Sequence, residues 1–164
     1  MGNETPSRQE DPISAPRVRE MLARITGVRV AVCGDFCLDA YWMLHPGGGE
    51  VSAETGLRSQ AVGRHYYSLG GAANVVANLA ALRPASVRAI GVVGDDVFGR
   101  ELLRQLEALG ADAAGMVVQR GRFDTVTYGK RYLDGREDPR IDFGFFNQRS
   151  AATDAALILS LIHI

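Results

Sequence analysis

Two near-continuous apolar runs, each closed by Gly-Asp, limit what this chain can fold into: VRVAVCGD at residues 28–35 and SVRAIGVVGDD at residues 86–96. A half-exposed strand alternates apolar and polar residues, whereas runs of this kind are covered on both faces, as in a parallel sheet. Parallel neighbours need crossover connections, which are usually helices. The segments between and after the runs supply them. SLGGAANVVANLAAL, residues 68–82, begins a helix that runs to about Leu82. VFGRELLRQLEALG is strongly amphipathic, with Leu102, Leu103, Leu106 and Leu109 predicted to point inward and Gly110 to stop it. AGMVVQ and the segments around TVTYGKRYL and RIDFGFFN read as further strands, and ATDAALIL starts another helix. Upstream, RVREMLARI follows Pro16 and places Val18, Met21, Leu22 and Ile25 on one helical face, with Gly27 as its stop. The whole reads as a βαβ-rich, three-layer α/β arrangement.

One segment departs from that pattern. From Ala40 to Tyr67, DAYWML and RSQAVGRHYY mix aromatic with polar residues around Gly47, Gly48 and Gly49, which predicts exposed strands of a flap inserted into the α/β frame. Residues 1–16 are rich in Pro, Ser, Glu and Asp and read as a disordered lead-in. At the other end ALILSLIHI stops within an element, so residues 156–164 read as a tail cut short, its last residues open to being non-native.

Composition removes several function classes. A net charge of −1 offers no field that would draw the chain to nucleic acid or an anionic membrane. Cys33 and Cys37 are too few for a disulfide framework or a zinc site and read as buried free thiols of a reducing compartment. With no signal-peptide core and no run of about 18 apolar residues, the chain reads as cytoplasmic. Lys130 is its single lysine, which coding bias explains as well as any function does.

The chemistry-bearing motifs are sparse. There is no phosphate-binding G-x-x-x-x-G-K-[ST], and GDFCLD carries one glycine where a dinucleotide fingerprint needs three. His45, His65 and His163 are isolated from one another and from cysteine, so neither a metal site nor a catalytic triad is indicated. Asp35 and Asp39 follow the end of a buried strand, where open α/β sheets place ligands, and a carboxylate there accepts hydrogen bonds from vicinal hydroxyls. A turn or cap role suits Asp35 equally well. In GGAANVVAN, Gly70 and Gly71 let a ligand approach the backbone, and the Asn74 amide suits a sugar hydroxyl better than a phosphate. The same spacing also suits a small-residue helix packed closely on the sheet, with Asn78 serving buried backbone. Asp95 or Asp96 caps the helix that follows the second strand.

In their order and spacing, GDFCLD, GGAANVVANLAAL and GVVGDDVFGRELLRQLEALGAD resemble the amino-terminal half of the ribokinase-like (PfkB) sugar kinases. Within them, the chain is most similar to the heptose 7-phosphate kinase branch, where GD…LD.YW, a flap and GGAANV occur together. The resemblance covers about residues 28–147 and implies a ribokinase-like three-layer α/β/α fold with an inserted β-sheet lid, here truncated. Residues 17–164 would then be the amino-terminal part of the sugar kinase domain, with the lid at about 40–67. It further implies that Asp39, Gly70, Gly71 and Asn74 contact sugar hydroxyls, that Lys130 and Arg140 meet the phosphate of a phosphorylated sugar, and that the lid forms a homodimer contact. ATP and Mg²⁺ are implied as well, both held mainly by the carboxyl-terminal half. The family's catalytic aspartate lies in a G-A-G-D motif that does not occur in this chain, so no catalytic residue is assigned here. The expected function is ATP-dependent phosphorylation of a sugar or sugar phosphate by the complete protein, these residues supplying the sugar side and being inactive alone. The competing expectation is a non-catalytic sugar- or nucleoside-binding module that dimerises through its flap. A nucleotide-dependent oxidoreductase is opposed by the missing glycine fingerprint.

Overall fold

The computed structural model describes residues 14–163, so the lead-in expected at the amino terminus lies, up to residue 13, outside the described residues. Helix α1 (Ala15–Ile25) starts where Ser14 accepts a hydrogen bond from the Arg17 amide. Its apolar face forms as predicted but has no cover among the described residues: Val18, Met21 and Leu22 are 41%, 49% and 46% exposed.

Strands β1 (Arg29–Cys33), β4 (Ser86–Gly94) and β5 (Asp112–Gln119) form a parallel sheet in the order β1-β4-β5. Helices α2 (Ala72–Ala81) and α3 (Val97–Ala108) and the more distant α4 (Ala151–Ile162) pack on it. Val87, Ala89 and Val93 of β4 join Val76 of α2 and Leu102 and Leu106 of α3 in the main core. Ile90 and Val92, on the opposite face of β4, are buried outside that cluster, on the side that α4 covers. This makes the three layers, and β4 is covered on both faces as expected. β1 is not. It is an edge strand with α2 as its main helical neighbour, and its residues are half-buried or exposed. Cys33, at its end, is exposed rather than buried.

α3 begins at the Asp96 cap, whose Oδ1 accepts from the Gly99 amide at 2.7 Å. Leu102 and Leu106 are inside and Leu103 is half-buried, but Leu109 is exposed because the helix ends at Ala108. Glu101 ties α3 together: Arg104 donates to both of its oxygens at 2.8 and 2.7 Å, and Gln105 donates to Oε1 at 2.8 Å and to the Tyr67 carbonyl of β3 at 3.3 Å. The hydrogen bond from Arg104 is the chief reason its carboxyl is held at about 2. A depressed carboxyl stabilises the fold above its unfolded value and loses that contribution as pH falls through the folded one. The thermal midpoint is therefore expected to drop between pH 4.5 and about 2, and melts of Glu101→Gln across that range to show a shallower slope.

The second sheet is the inserted one. Strands β2 (Phe36–Leu44), β3 (Val62–Gly71), β6 (Thr127–Leu133) and β7 (Arg136–Phe143) lie in the order β3-β2-β6-β7. β2 pairs antiparallel with β3 and parallel with β6, and β6 pairs antiparallel with β7. The expected flap at 40–67 is thus half of a larger sheet that begins at Phe36 and is completed by strands distant in sequence. β2 joins the two units. Leu38 and Ala40 on one of its faces are fully buried, and Leu38 belongs to the main core, while Cys37, Asp39 and Tyr41 alternate onto the other face. Tyr67 of β3 and Phe143 of β7 both reach Phe98 of α3, ring centroids 6.3 and 5.0 Å away. Among the described residues no helix is long and apolar enough to cross a membrane.

Candidate functional site

β1 ends in the Gly34-Asp35 turn and β2 starts one residue later, so the face of β2 that carries Asp39 rises from the carboxyl end of the parallel sheet. The strand register sets Asp39 between Ser68 of β3 and Tyr128 of β6, and sets Tyr41 between Tyr66 and Lys130. In that register the Lys130 ammonium lies 3.0 Å from Asp39 Oδ1 and donates to the Tyr41 hydroxyl at 3.2 Å, passing 4.8 Å from the centre of the Tyr41 ring. Burial pulls the ammonium toward deprotonation, but its contacts with Asp39 and Tyr41 outweigh that and hold its pKa above the ordinary lysine value. The side chains of Lys130 and Asp39 are only 21% and 22% exposed.

The glycine pair forms the floor beside this carboxylate. A Cβ at Gly70 would come 2.8 Å from Cys37 Sγ and 3.5 Å from Asp39 Oδ2, so glycine keeps the space in front of Oδ2 open. Gly71 adopts φ 53° and ψ −131°, and a Cβ there would sit 2.5 Å from the Asp35 carbonyl, the acceptor for the Ala72 amide at the start of α2. The Cys37 thiol below is pushed up by burial and then by the charges of Asp39 and Asp35, with Lys130 opposing, so it stays neutral and serves as a wall.

The other expected ligands stand further off. Asn74, in the first turn of α2, is exposed and lines a groove of about 420 Å³ with Ser68, Arg104 and Gln105. Asp39 does not line that groove, which Tyr67 and Leu69 wall on the core-facing side of the sheet, opposite the face that carries Asp39. Asn78 is exposed, so it satisfies no buried backbone. Arg140, on β7, pairs with Asp142 at 2.9 Å and lies 4.7 Å from the ring centre of Tyr128, two strands from Asp39 in the same sheet. Lys130 and Arg140 therefore each already hold a carboxylate.

Sequence reasoning missed a larger cavity, of about 570 Å³, at the ends of β1 and β4, lined by Asp35, Phe36, Val92, Asn147, Arg149 and Asp154. Arg149 is paired with Asp154 at 2.8 Å, and Asn147 brackets the Asp124 backbone through both of its amide atoms. These side chains shape the wall by holding loops. They belong to no spacing pattern that would single them out in advance.

Chemically, the arrangement is suited to holding hydroxyl groups. Ser14, Asp96 and Ser150 each accept one first-turn amide of α1, α3 and α4, whereas α2 starts at Gly71 with no side-chain cap, and the described residues contain no cluster of three or more potential metal ligands. The model of the pfkB family carbohydrate kinases matches residues 50–134, from the lid loop through β6, including Gly70, Gly71, Asn74 and Lys130. The chain belongs to the pfkB family of carbohydrate kinases. Among curated relatives, it is 36% identical over 133 residues to the bifunctional protein HldE of Wolinella succinogenes, covering 79% of this chain and 26% of that protein. It is 46% identical over 84 residues to the D-beta-D-heptose 7-phosphate kinase of Bordetella bronchiseptica, covering 49% of this chain and 25% of that one. The chain thus spans about a quarter of the length of these relatives. The crystal structure of ribokinase from Cryptococcus neoformans in complex with ADP aligns with 77% of this chain and 38% of its own, with a TM-score of 0.52 at 21% identity. The fold of this pfkB-family chain is accordingly ribokinase-like, a three-layer α/β unit with the β2-centred sheet as its insertion.

Proposed function

We propose that these residues form the sugar-binding and lid portion of an ATP-dependent kinase whose substrate is a heptose phosphate or a similar sugar phosphate. The observation that carries this reading is the Asp39 carboxylate, fixed by Lys130 and open over Gly70 at the end of the parallel sheet of a pfkB-family chain. The names of its heptose kinase and HldE relatives support the substrate class. ATP as phosphoryl donor with Mg²⁺, a cytoplasmic setting and a homodimer through the lid belong to the same proposal.

Asp39 Oδ2 accepts hydrogen bonds from vicinal sugar hydroxyls, as an ionised carboxylate does well, and donates none. Gly70 and Gly71 let the sugar lie against backbone. Asn74, in the first turn of α2, adds an amide contact to a sugar hydroxyl. Arg140, half-exposed on the lid face, is the cation that can turn to the phosphate of the sugar. The general base of phosphoryl transfer lies outside these residues, so their part is to bind and orient the acceptor hydroxyl.

Calorimetric titration with D-β-D-heptose 7-phosphate tests this. Binding is expected, and Asn74→Leu is expected to weaken it roughly tenfold, the worth of one polar contact, with an unchanged melting temperature. Undiminished affinity in that variant removes Asn74 from the site.

A further inference from the structure

We infer that Lys130 is a positioning residue, not a phosphate ligand: held between Asp39 Oδ1 and the Tyr41 hydroxyl, it locks the Asp39 carboxylate so that Oδ2 alone is presented to the sugar. This rests on the sugar-binding reading above and deepens it. The two carboxylate oxygens have different surroundings. Oδ1 is taken by the ammonium at 3.0 Å, whereas Oδ2 is the oxygen that faces the empty Cβ position of Gly70, at 3.5 Å. An aspartate side chain free to rotate would offer either oxygen, and the ion pair removes that choice.

The cost of releasing Lys130 argues in the same direction. Turning the ammonium toward a substrate phosphate would leave the largely covered Asp39 carboxylate without its counter-ion, which is a heavy penalty for a desolvated charge. It would also break the contact with Tyr41, whose ring is stacked on Tyr66 at 4.6 Å and so cannot follow. Arg140 makes the opposite case. Its side chain is 46% exposed, and its pair with Asp142 lies where water screens the exchange of one anion for another. The lid face thus divides its cations between two tasks, Lys130 fixing the hydroxyl acceptor and Arg140 remaining available to an anionic substituent.

The groups close enough to act on Lys130 are Asp39, Tyr41 and Cys37 of β2 and Tyr132 of its own strand. Because Lys130 is the only lysine, ¹³C-lysine labelling of the full chain gives one ε signal that follows it through a pH titration. Its midpoint is expected above the ordinary 10.5, and Asp39→Asn is expected to lower it, since only burial and Tyr41 then remain. An unchanged midpoint in Asp39→Asn overturns the clamp whether or not any sugar binds. Affinity is then read by calorimetry with D-β-D-heptose 7-phosphate and with the unphosphorylated heptose. Lys130→Met is expected to lose roughly thirtyfold for both sugars alike, within the worth of one well-placed hydrogen bond to a charged group. In the unsubstituted protein, affinity for both should fall as pH rises through the midpoint of the ε signal, a step missing in Lys130→Met. Loss confined to the phosphorylated sugar makes Lys130 a phosphate ligand and overturns the proposal. If the unsubstituted protein binds neither sugar, the sugar-binding reading fails and the positioning role falls with it, even where the ε signal has shown the ion pair to be real.

Discussion

Gly71→Ala is expected to destabilise the chain by about 3 kcal/mol, the largest effect of any substitution in the segments around Asp39, and to move the urea midpoint down accordingly. Two independent terms add. The backbone at φ 53°, ψ −131° lies in a region essentially reserved for glycine, worth about 1–3 kcal/mol of strain to any other residue. The added methyl would also lie 2.5 Å from the Asp35 carbonyl, and that atom cannot retreat freely because it accepts the Ala72 amide at 2.9 Å and closes the start of α2 on the turn after β1. Gly56→Ala separates the terms: Gly56 has φ 68° but no atom within 4 Å of the added carbon, so only the conformational cost remains, about 1 kcal/mol. Equal losses at the two positions would show that the contact with Asp35 contributes nothing.

Asp39→Asn is expected to cost about 2–3 kcal/mol of sugar affinity, roughly a hundredfold in Kd, and also to lower the melting temperature, because Lys130 is left largely covered without its counter-ion. The asparagine has the same shape, so packing against Cys37 and Gly70 is retained. What disappears is the charge that strengthens the hydrogen bonds from the sugar hydroxyls, together with the partner of Lys130. Calorimetry and thermal melts on the same preparation distinguish the two consequences. A Kd within about twofold of the unsubstituted value would show that Asp39 is no ligand at all and would end the proposed function in its present form.

The parts of this molecule that were legible beforehand are those whose cause is local. The buried run of β4, the Asp96 cap and the inward Leu102 and Leu106 of α3 follow from patterns a few residues long, and each stands where the pattern put it. The family motifs made the three-layer fold with its insertion legible too, and gave Asp39 and the glycine pair as neighbours. Periodicity could not convey pairing between distant segments. That β2 lies parallel to β6, bringing Lys130 onto Asp39 across 91 positions of sequence, is a property of the register alone, and it turns an expected free cation into half of an ion pair. Covering depends on partners in the same way. The apolar stripe of α1 was readable, but its exposure among the described residues was not, and Cys33 is exposed because β1 proved to be an edge strand.

The double allegiance of β2 makes binding strength and structural integrity inseparable along this strand. Leu38 is locked in the main core, and the next residue, on the opposite face, is Asp39, the carboxylate proposed to meet the sugar. With one backbone bond as the only spacer, no hinge intervenes between the buried core and the Asp39 carboxylate. A shift of the insertion relative to the sheet therefore drags Asp39 with it, and under the proposed function the rigidity of the interior would set the precision with which one sugar is told from another.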